Sequence, residues 1–190
     1  MKQTPRTLFL FVLIGLATLS RLLPHPVNFT PLLAIALLAG RQLPRGFAAP
    51  AIVVTSMLAI DLPYLVSQVL PQSTADLVPK ILLVNGFVYG TILSLTYFAQ
   101  HIRGLKDWQF TLVGSFASSL AFFLTTNFAS WLAFYPLSIT SFAQCYSSAI
   151  PFFKNTWIST LLYGGTFHIC LSLFDRYTAL RSHRAISPQN

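Results

Sequence analysis

The stretch "RLLPHPVNFTPLLAIALLAGRQLPRG", residues 21–46, sets a polar, proline-rich connection directly before a short apolar run. Proline interrupts a helix interior, so the apolar run between Pro31 and Pro44 predicts a helix at about 29–43. A helix needs about 20 residues to cross about 30 Å of hydrocarbon, and this one is shorter. Asn28 or Thr30 is expected to cap its first turn. The stretch therefore predicts a shortened membrane helix that follows a polar, proline-rich connection.

The composition of the whole chain is that of an integral membrane protein. Of its 190 residues, 54% are hydrophobic and 8% are charged, and the mean hydropathy is +0.65. Soluble domains carry about 25% charged residues, so this chain could not cover a water-exposed surface. It has no glutamate and four aspartates, which leaves few carboxylates for acid–base chemistry or metal binding. We expect no enzyme activity, no catalytic residue, no metal site and no cofactor.

Six apolar runs predict an all-α membrane protein with six transmembrane helices. They form a single transmembrane domain, residues 1–190, with helices at about 7–23, 29–43, 47–70, 77–99, 110–135 and 150–174.

The lysines and arginines orient these helices. With the N-terminus inside, the cytoplasmic segments hold nine of the twelve: Lys2, Arg6, Arg41, Arg45, Arg103, Lys106, Arg176, Arg181 and Arg184. The outer segments hold Arg21, Lys80 and Lys154. This positive-inside pattern predicts cytoplasmic N- and C-termini, a basic cytoplasmic tail at 175–190, and a multi-pass protein of the bacterial inner membrane. The expected partner is the lipid bilayer. Because membrane topology accounts for the net charge of +8, we expect no nucleic-acid partner.

Polar residues fall in the predicted outer half of all six helices. Because polar groups are costly inside a bilayer, such residues are candidates for a functional site. The candidates that converge on one outward-facing substrate-binding pocket are Arg21, His25, Asn28, Thr30, Asp61, Asn85, Tyr89, Asn127, Trp131, Lys154 and Asn155.

Each candidate also has a structural interpretation. Trp131 could be an interfacial aromatic residue, Lys154 could extend to the headgroups, and Asn85 could hydrogen-bond between helices. His25 could be a turn residue. Asp61 needs a cationic partner or water, and Arg21 and Lys154 lie at a similar depth.

Small residues mark close approach of helices. Ala36 and Gly40 on the second helix, and Gly114 and Ser118 on the fifth, have the small-xxx-small spacing that lets backbones approach. Either packing within this chain or docking on a partner subunit would use such faces.

Three motifs resemble a family of small bacterial membrane proteins, described as transport proteins of unknown function. They are "RLLPHPVNFTP" (21–31), "TNFASWL" (126–132) and "AIPFFKNTWISTLLYG" (149–164). That family is similar in architecture to the substrate-binding S components of energy-coupling factor (ECF) transporters. The resemblance implies an ECF S-component-like bundle, and it adds Pro26, Phe29, Pro31 and Phe153 to the motif positions. The chain departs from it at Thr160, where the family has aspartate, and it lacks the A-x-x-x-A docking motif on the first helix.

These observations predict a substrate-binding transport protein that captures a small polar or charged molecule from the outer face. The chain has no P-loop, so a membrane coupling subunit with ATPases would have to supply energy. The alternative is a membrane scaffold or interaction protein, similar to the rod-shape-determining protein MreD.

Overall fold

The chain folds into a bundle of six α-helices. The computed structural model describes residues 5–102 and 104–186, with side chains described up to residue 181. The helices are α1 (Pro5–Ser20), α2 (Leu32–Gln42), α3 (Ala48–Tyr64), α4 (Leu77–His101), α5 (Asp107–Phe134) and α6 (Ile139–Ile186). A π-helical turn at Leu65–Val69 and a 3₁₀ turn at Leu70–Gln72 continue α3. The described residues contain no strand, so the predicted all-α class is confirmed.

Four helical segments are long and apolar enough to cross a membrane, as expected of a membrane protein. They are Ala48–Gln72, Leu77–His101, Asp107–Phe134 and Ile139–Arg181. At 16 and 11 residues, α1 and α2 are shorter. A rise of 1.5 Å per residue gives them lengths of about 24 and 16 Å, less than the hydrocarbon thickness. The sequence therefore predicted the number of helices correctly, whereas only four of them have the length of a full span.

The bounds of the first five helices agree with the predicted ones to within three residues, once the turns after α3 are included. The sixth prediction, 150–174, was wrong because α6 begins at Ile139 and includes Pro151. The Ser138 hydroxyl accepts a hydrogen bond from the backbone N–H of Ser141 and caps the early start. Residues 175–186, predicted as part of a tail, continue the helix, and 187–190 lie outside the described residues.

The short helix α2 lies at the centre of the bundle. It packs against all five other helices. The eight consecutive residues from Leu33 to Gly40 are all buried, and the sequence there is apolar on every face. α2 is therefore the element around which the longer helices assemble.

Gly40 allows α2 to approach α4 closely. A Cβ atom at this position would lie 2.5 Å from the carbonyl oxygen of Thr96 and 2.6 Å from the Cβ of Ala99. Ala36, one turn earlier, is fully buried. The small-residue face predicted on this helix therefore packs within the chain.

The two ends of the bundle differ in charge. At the end we call the basic end, Arg6 bonds Asp175 at 2.9 Å and Gln42 at 3.0 Å. Arg41 there bonds Asp107 at 3.2 Å, so segments predicted to be cytoplasmic do lie together. The opposite end, with the 21–31 connection, is called the distal end.

Gly40→Ala should destabilise the protein, because the added methyl group meets the α4 backbone. Overpacking of this kind costs about 1–3 kcal/mol. The measurement is the thermal unfolding midpoint of the purified protein in detergent. Gly90→Ala is the matched control, since a Cβ atom at Gly90 has nothing within 4 Å. Equal midpoints for the two variants would contradict the close approach.

Candidate functional site

The distal half of the bundle contains a cavity beside the connection that precedes α2. The cavity measures about 220 Å³, and we call it the distal cavity. The connection before α2 contributes Asn28, and α4, α5 and α6 supply the walls. The wall residues are Val84, Val88, Phe122, Phe123, Thr126, Asn127, Ser130, Ala149, Phe152, Phe153 and Thr156.

The polar groups of the distal cavity leave their oxygen atoms open to a ligand. The Asn127 amide donates to the carbonyl oxygen one turn earlier on its own helix, at 2.7 Å. The hydroxyls of Thr126, Ser130 and Thr156 do the same at 2.7, 2.9 and 3.0 Å. Each side chain has used a donor, and lone pairs on its oxygen remain. The cavity therefore presents hydrogen-bond acceptors without formal charge.

Aromatic rings form most of the remaining wall. The rings of Phe123 and Phe153 meet edge to face with centroids 5.4 Å apart, and Phe116 lies 6.1 Å from Phe153. An apolar wall with a few convergent polar groups is the usual composition of a small-molecule site. The volume is enough for several water molecules or a small organic ligand.

The connection before α2 is held at the cavity by its own backbone and by α6. Asn28 has φ +61°, a left-handed conformation that asparagine tolerates better than most residues. The Asn155 amide donates to the carbonyl oxygen of Val27 at 2.9 Å, and His25 is exposed and bonds the carbonyl oxygen of Pro26. The predicted capping of α2 by Asn28 or Thr30 was wrong, because Pro31 occupies the N-cap without a side-chain hydrogen bond.

A second polar group joins α1, α3 and α4. Arg21, directly after α1, forms an ion pair with Asp61, and the Tyr89 hydroxyl donates to the other carboxylate oxygen at 3.2 Å. Of the two cations expected to partner Asp61, Arg21 is the one observed. Its Nη1 atom is buried without a hydrogen-bond partner among the described residues.

Asp61 lies just before a change in the α3 backbone. Pro63 has no N–H to continue the helical ladder, and the π-helical turn begins two residues later. Here Asp61, Asn85 and Tyr89 line a groove between α3 and α4 of about 280 Å³. The Asn85 amide bonds its own helix at the carbonyl oxygen of Ile81, rather than a neighbouring helix.

The single pocket predicted from the sequence is thus divided. Asn28 and Asn127 lie in the distal cavity, and Asp61, Asn85 and Tyr89 lie in the α3–α4 groove. The Trp131 indole donates to Ser141 at 3.1 Å and joins α5 to α6. The remaining candidates line neither site: Thr30 is half-buried, and Lys154 is exposed and forms no ion pair within the described residues.

Two sets of residues were missed by the sequence analysis. Thr126, Ser130 and Thr156 line the distal cavity, and their three- and four-residue spacing along α5 and α6 could have revealed them. The ion pairs of the basic end, Arg6–Asp175 and Arg41–Asp107, had no such local signal.

Comparison with known proteins shows the family of this chain. It belongs to a family of unknown function (DUF6580), whose model matches residues 1–182. No curated protein and no solved structure matches the chain. The expected membership in an uncharacterised family is confirmed, and the likeness to ECF S components stays a prediction.

Asp61→Ala should destabilise the protein more than Asp175→Ala. The first change leaves the Arg21 guanidinium, whose side chain is 11% exposed, without its carboxylate. Removal of one partner from a fully buried pair costs about 3–5 kcal/mol. Because the Asp61 side chain is 29% exposed, we expect about 2–3 kcal/mol.

The Arg6–Asp175 pair is the matched control, with side chains 42% and 45% exposed. Its loss should cost less than about 1 kcal/mol. Chemical denaturation in detergent micelles measures both variants. If Asp61→Ala proved as stable as Asp175→Ala, the Arg21–Asp61 pair would not anchor the distal end.

Proposed function

We propose that this protein binds a small molecule in the distal cavity and acts as the substrate-binding, S-component-like part of a transport system. The molecule enters at the distal end, and the distribution of lysine and arginine supports an outward-facing position of this end. The observation that carries the proposal is the distal cavity itself, a space of about 220 Å³ between α4, α5 and α6 with convergent polar groups on its wall.

The chemistry of the wall selects the ligand class. The lining residues carry no formal charge, and the oxygen atoms of Asn127, Thr126 and Thr156 face a ligand as acceptors. Burial of an ion in such a site would be costly, so the ligand is uncharged, with an apolar body and N–H or O–H donors. The sequence predicted a polar or charged ligand. Because Lys154 and Arg21 do not line the cavity, we restrict the proposed ligand class to uncharged molecules.

The Arg21–Asp61–Tyr89 group then has a positioning role. It ties the end of α1, and with it the start of the 21–31 connection, to α3 and α4. Asn155 holds the same connection from α6 through Val27. Together these contacts fix Asn28 at the cavity.

A separate membrane subunit with ATPases remains the proposed energy source, because the chain has no P-loop of its own.

A scaffold is the second candidate, and one surface favours it. A groove between α4 and α5, open to the surroundings, contains Gly86, Gly90 and Ser94 at four-residue intervals. Such a face would accept a helix of a partner protein.

Asn127→Leu should lower the fraction of the protein that purifies with a small molecule bound. The two side chains are similar in size, and leucine lacks the acceptor oxygen that faces the cavity. Loss of one hydrogen bond of about 1.5 kcal/mol lowers affinity about tenfold. Native mass spectrometry of the protein purified in mild detergent measures the bound fraction.

Asn85→Leu is the matched control, since Asn85 makes the same bond to its own helix and lines the other groove. Its bound fraction should equal that of the unchanged protein. An unchanged protein that is consistently empty and captures cell-wall assembly proteins would favour the scaffold instead.

A further inference from the structure

A second, smaller cavity lies at the basic end. It measures about 60 Å³, room for about two water molecules, and we call it the basic-end cavity. Its lining includes both aspartate–arginine pairs of this end and, deeper in the bundle, Thr111 and Thr160. The site is distinct from the distal cavity, with which it shares no lining residue.

The two cavities approach each other along α6. Thr156 lines the distal cavity, and Thr160 lines the basic-end cavity. These residues are four positions apart, which is one helical turn or about 6 Å. Thr156 is 7% exposed and Thr160 is 1% exposed, so the turn between the cavities is packed.

A row of hydroxyls on α5 spans the same interval. Thr111 lines the basic-end cavity, and Thr126 and Ser130 line the distal one. Ser115 and Ser119 lie between them at four-residue spacing from Thr111, which places all three on one face of the helix. Ser115 and Ser119 are fully buried.

Ser119 is the residue in this row whose hydroxyl has no local hydrogen bond. Its hydroxyl is buried without a hydrogen-bond partner among the described residues, whereas Ser115 bonds the carbonyl oxygen of Leu112 at 3.0 Å. A buried polar group without a partner costs free energy, and it persists where water or a ligand reaches it during function. Ser119 thus points to intermittent hydration midway between the cavities.

We propose that the hydroxyls of Ser115, Ser119, Thr156 and Thr160 line a path for an uncharged solute between the distal and the basic-end cavities. The inference rests on the proposed function, since it supplies the route by which the ligand of the distal cavity leaves. Ser115, Thr156 and Thr160 donate to carbonyl oxygens of their own helices and keep oxygen lone pairs, whereas Ser119 also keeps its donor. A solute would therefore meet uncharged hydrogen-bonding groups along the row.

Two ion pairs close the path at the basic end. Arg6 on α1 bonds Asp175 on α6, and Arg41 on α2 bonds Asp107 on α5. Both side chains of the Arg6–Asp175 pair are nearly half-exposed, so water can replace this bond at little cost when the helices separate. Arg41 is more buried, and it also bonds the carbonyl oxygens of Ile102 and Leu105. Both ion pairs are formed in this structure, and the distal cavity is the larger of the two cavities.

Cysteine accessibility tests the path without knowledge of the ligand. In a Cys145→Ala, Cys170→Ala background, single variants Ser130→Cys, Ser119→Cys and Thr111→Cys are exposed briefly to iodoacetamide, a small uncharged thiol reagent. Impermeant glutathione on the opposite face consumes any reagent that crosses the bilayer. The reagent is applied from either face of sealed, oriented vesicles. Ser130→Cys should lose its free thiol from the distal face alone and Thr111→Cys from the basic face alone. Ser119→Cys should lose it from both faces.

Met57→Cys is the control, because Met57 is fully buried in the apolar core, and its thiol should survive. Thr160→Cys on α6 repeats the Ser119 measurement on the facing helix. If both central thiols are inert, or react from one face alone, the path is wrong. Inert central thiols would refute the path, but a bound ligand detected by mass spectrometry would still support the proposed binding function. Conversely, reactive central thiols in a protein that purifies without a ligand would refute the binding function and support the path.

Discussion

The contact between Gly40 of α2 and the backbone of α4 at Thr96 is the constraint on which the rest of the architecture depends. It holds an 11-residue helix at the centre of a bundle whose longer members have 25 to 48 residues in α4, α5 and α6. Because α2 is anchored near the basic end and begins at Leu32, it cannot fill the distal half. The longer helices continue past it, and the space between them is the distal cavity.

The polar side chains of this protein divide between support and recognition. The arginines Arg6, Arg21 and Arg41 each pair with an aspartate, and these pairs join helices that are distant in sequence. The side chains of Thr126, Asn127, Ser130 and Thr156 in the distal cavity donate only to carbonyl oxygens of their own helices. Their oxygen lone pairs remain available as acceptors. The charged groups therefore join helices, and the uncharged ones are the groups that we propose meet a ligand.

Much of the fold was predictable, because apolar run length and prolines determine where membrane helices begin and end. The prediction for α6 was wrong because it placed the start of the helix near Pro151. The turn capped by Ser138 starts the helix earlier, and Pro151 lies inside it. Asn28 and Asn127 line the same cavity, and Arg21, one of the two cations considered for Asp61, is its partner. That these residues bind a ligand stays a prediction. Sequence position gives the depth of a residue along a helix but not the rotation of that helix. Asp61 and Asn127, both predicted in the outer half of their helices, line different spaces for this reason. The Arg6–Asp175 pair, 169 residues apart, depends on packing that no local pattern encodes.

The central claim is that the short α2 leaves a ligand site in the distal half of the bundle. The most direct measurement is an electron cryomicroscopy structure of the protein, purified from its native membrane with a bound antibody fragment that adds mass. The account predicts a helix α2 that begins at Leu32 and non-protein density in contact with Asn127 and Thr156. A distal half in which the rings of Phe122 and Phe153 close the space and leave no room for a ligand would contradict it.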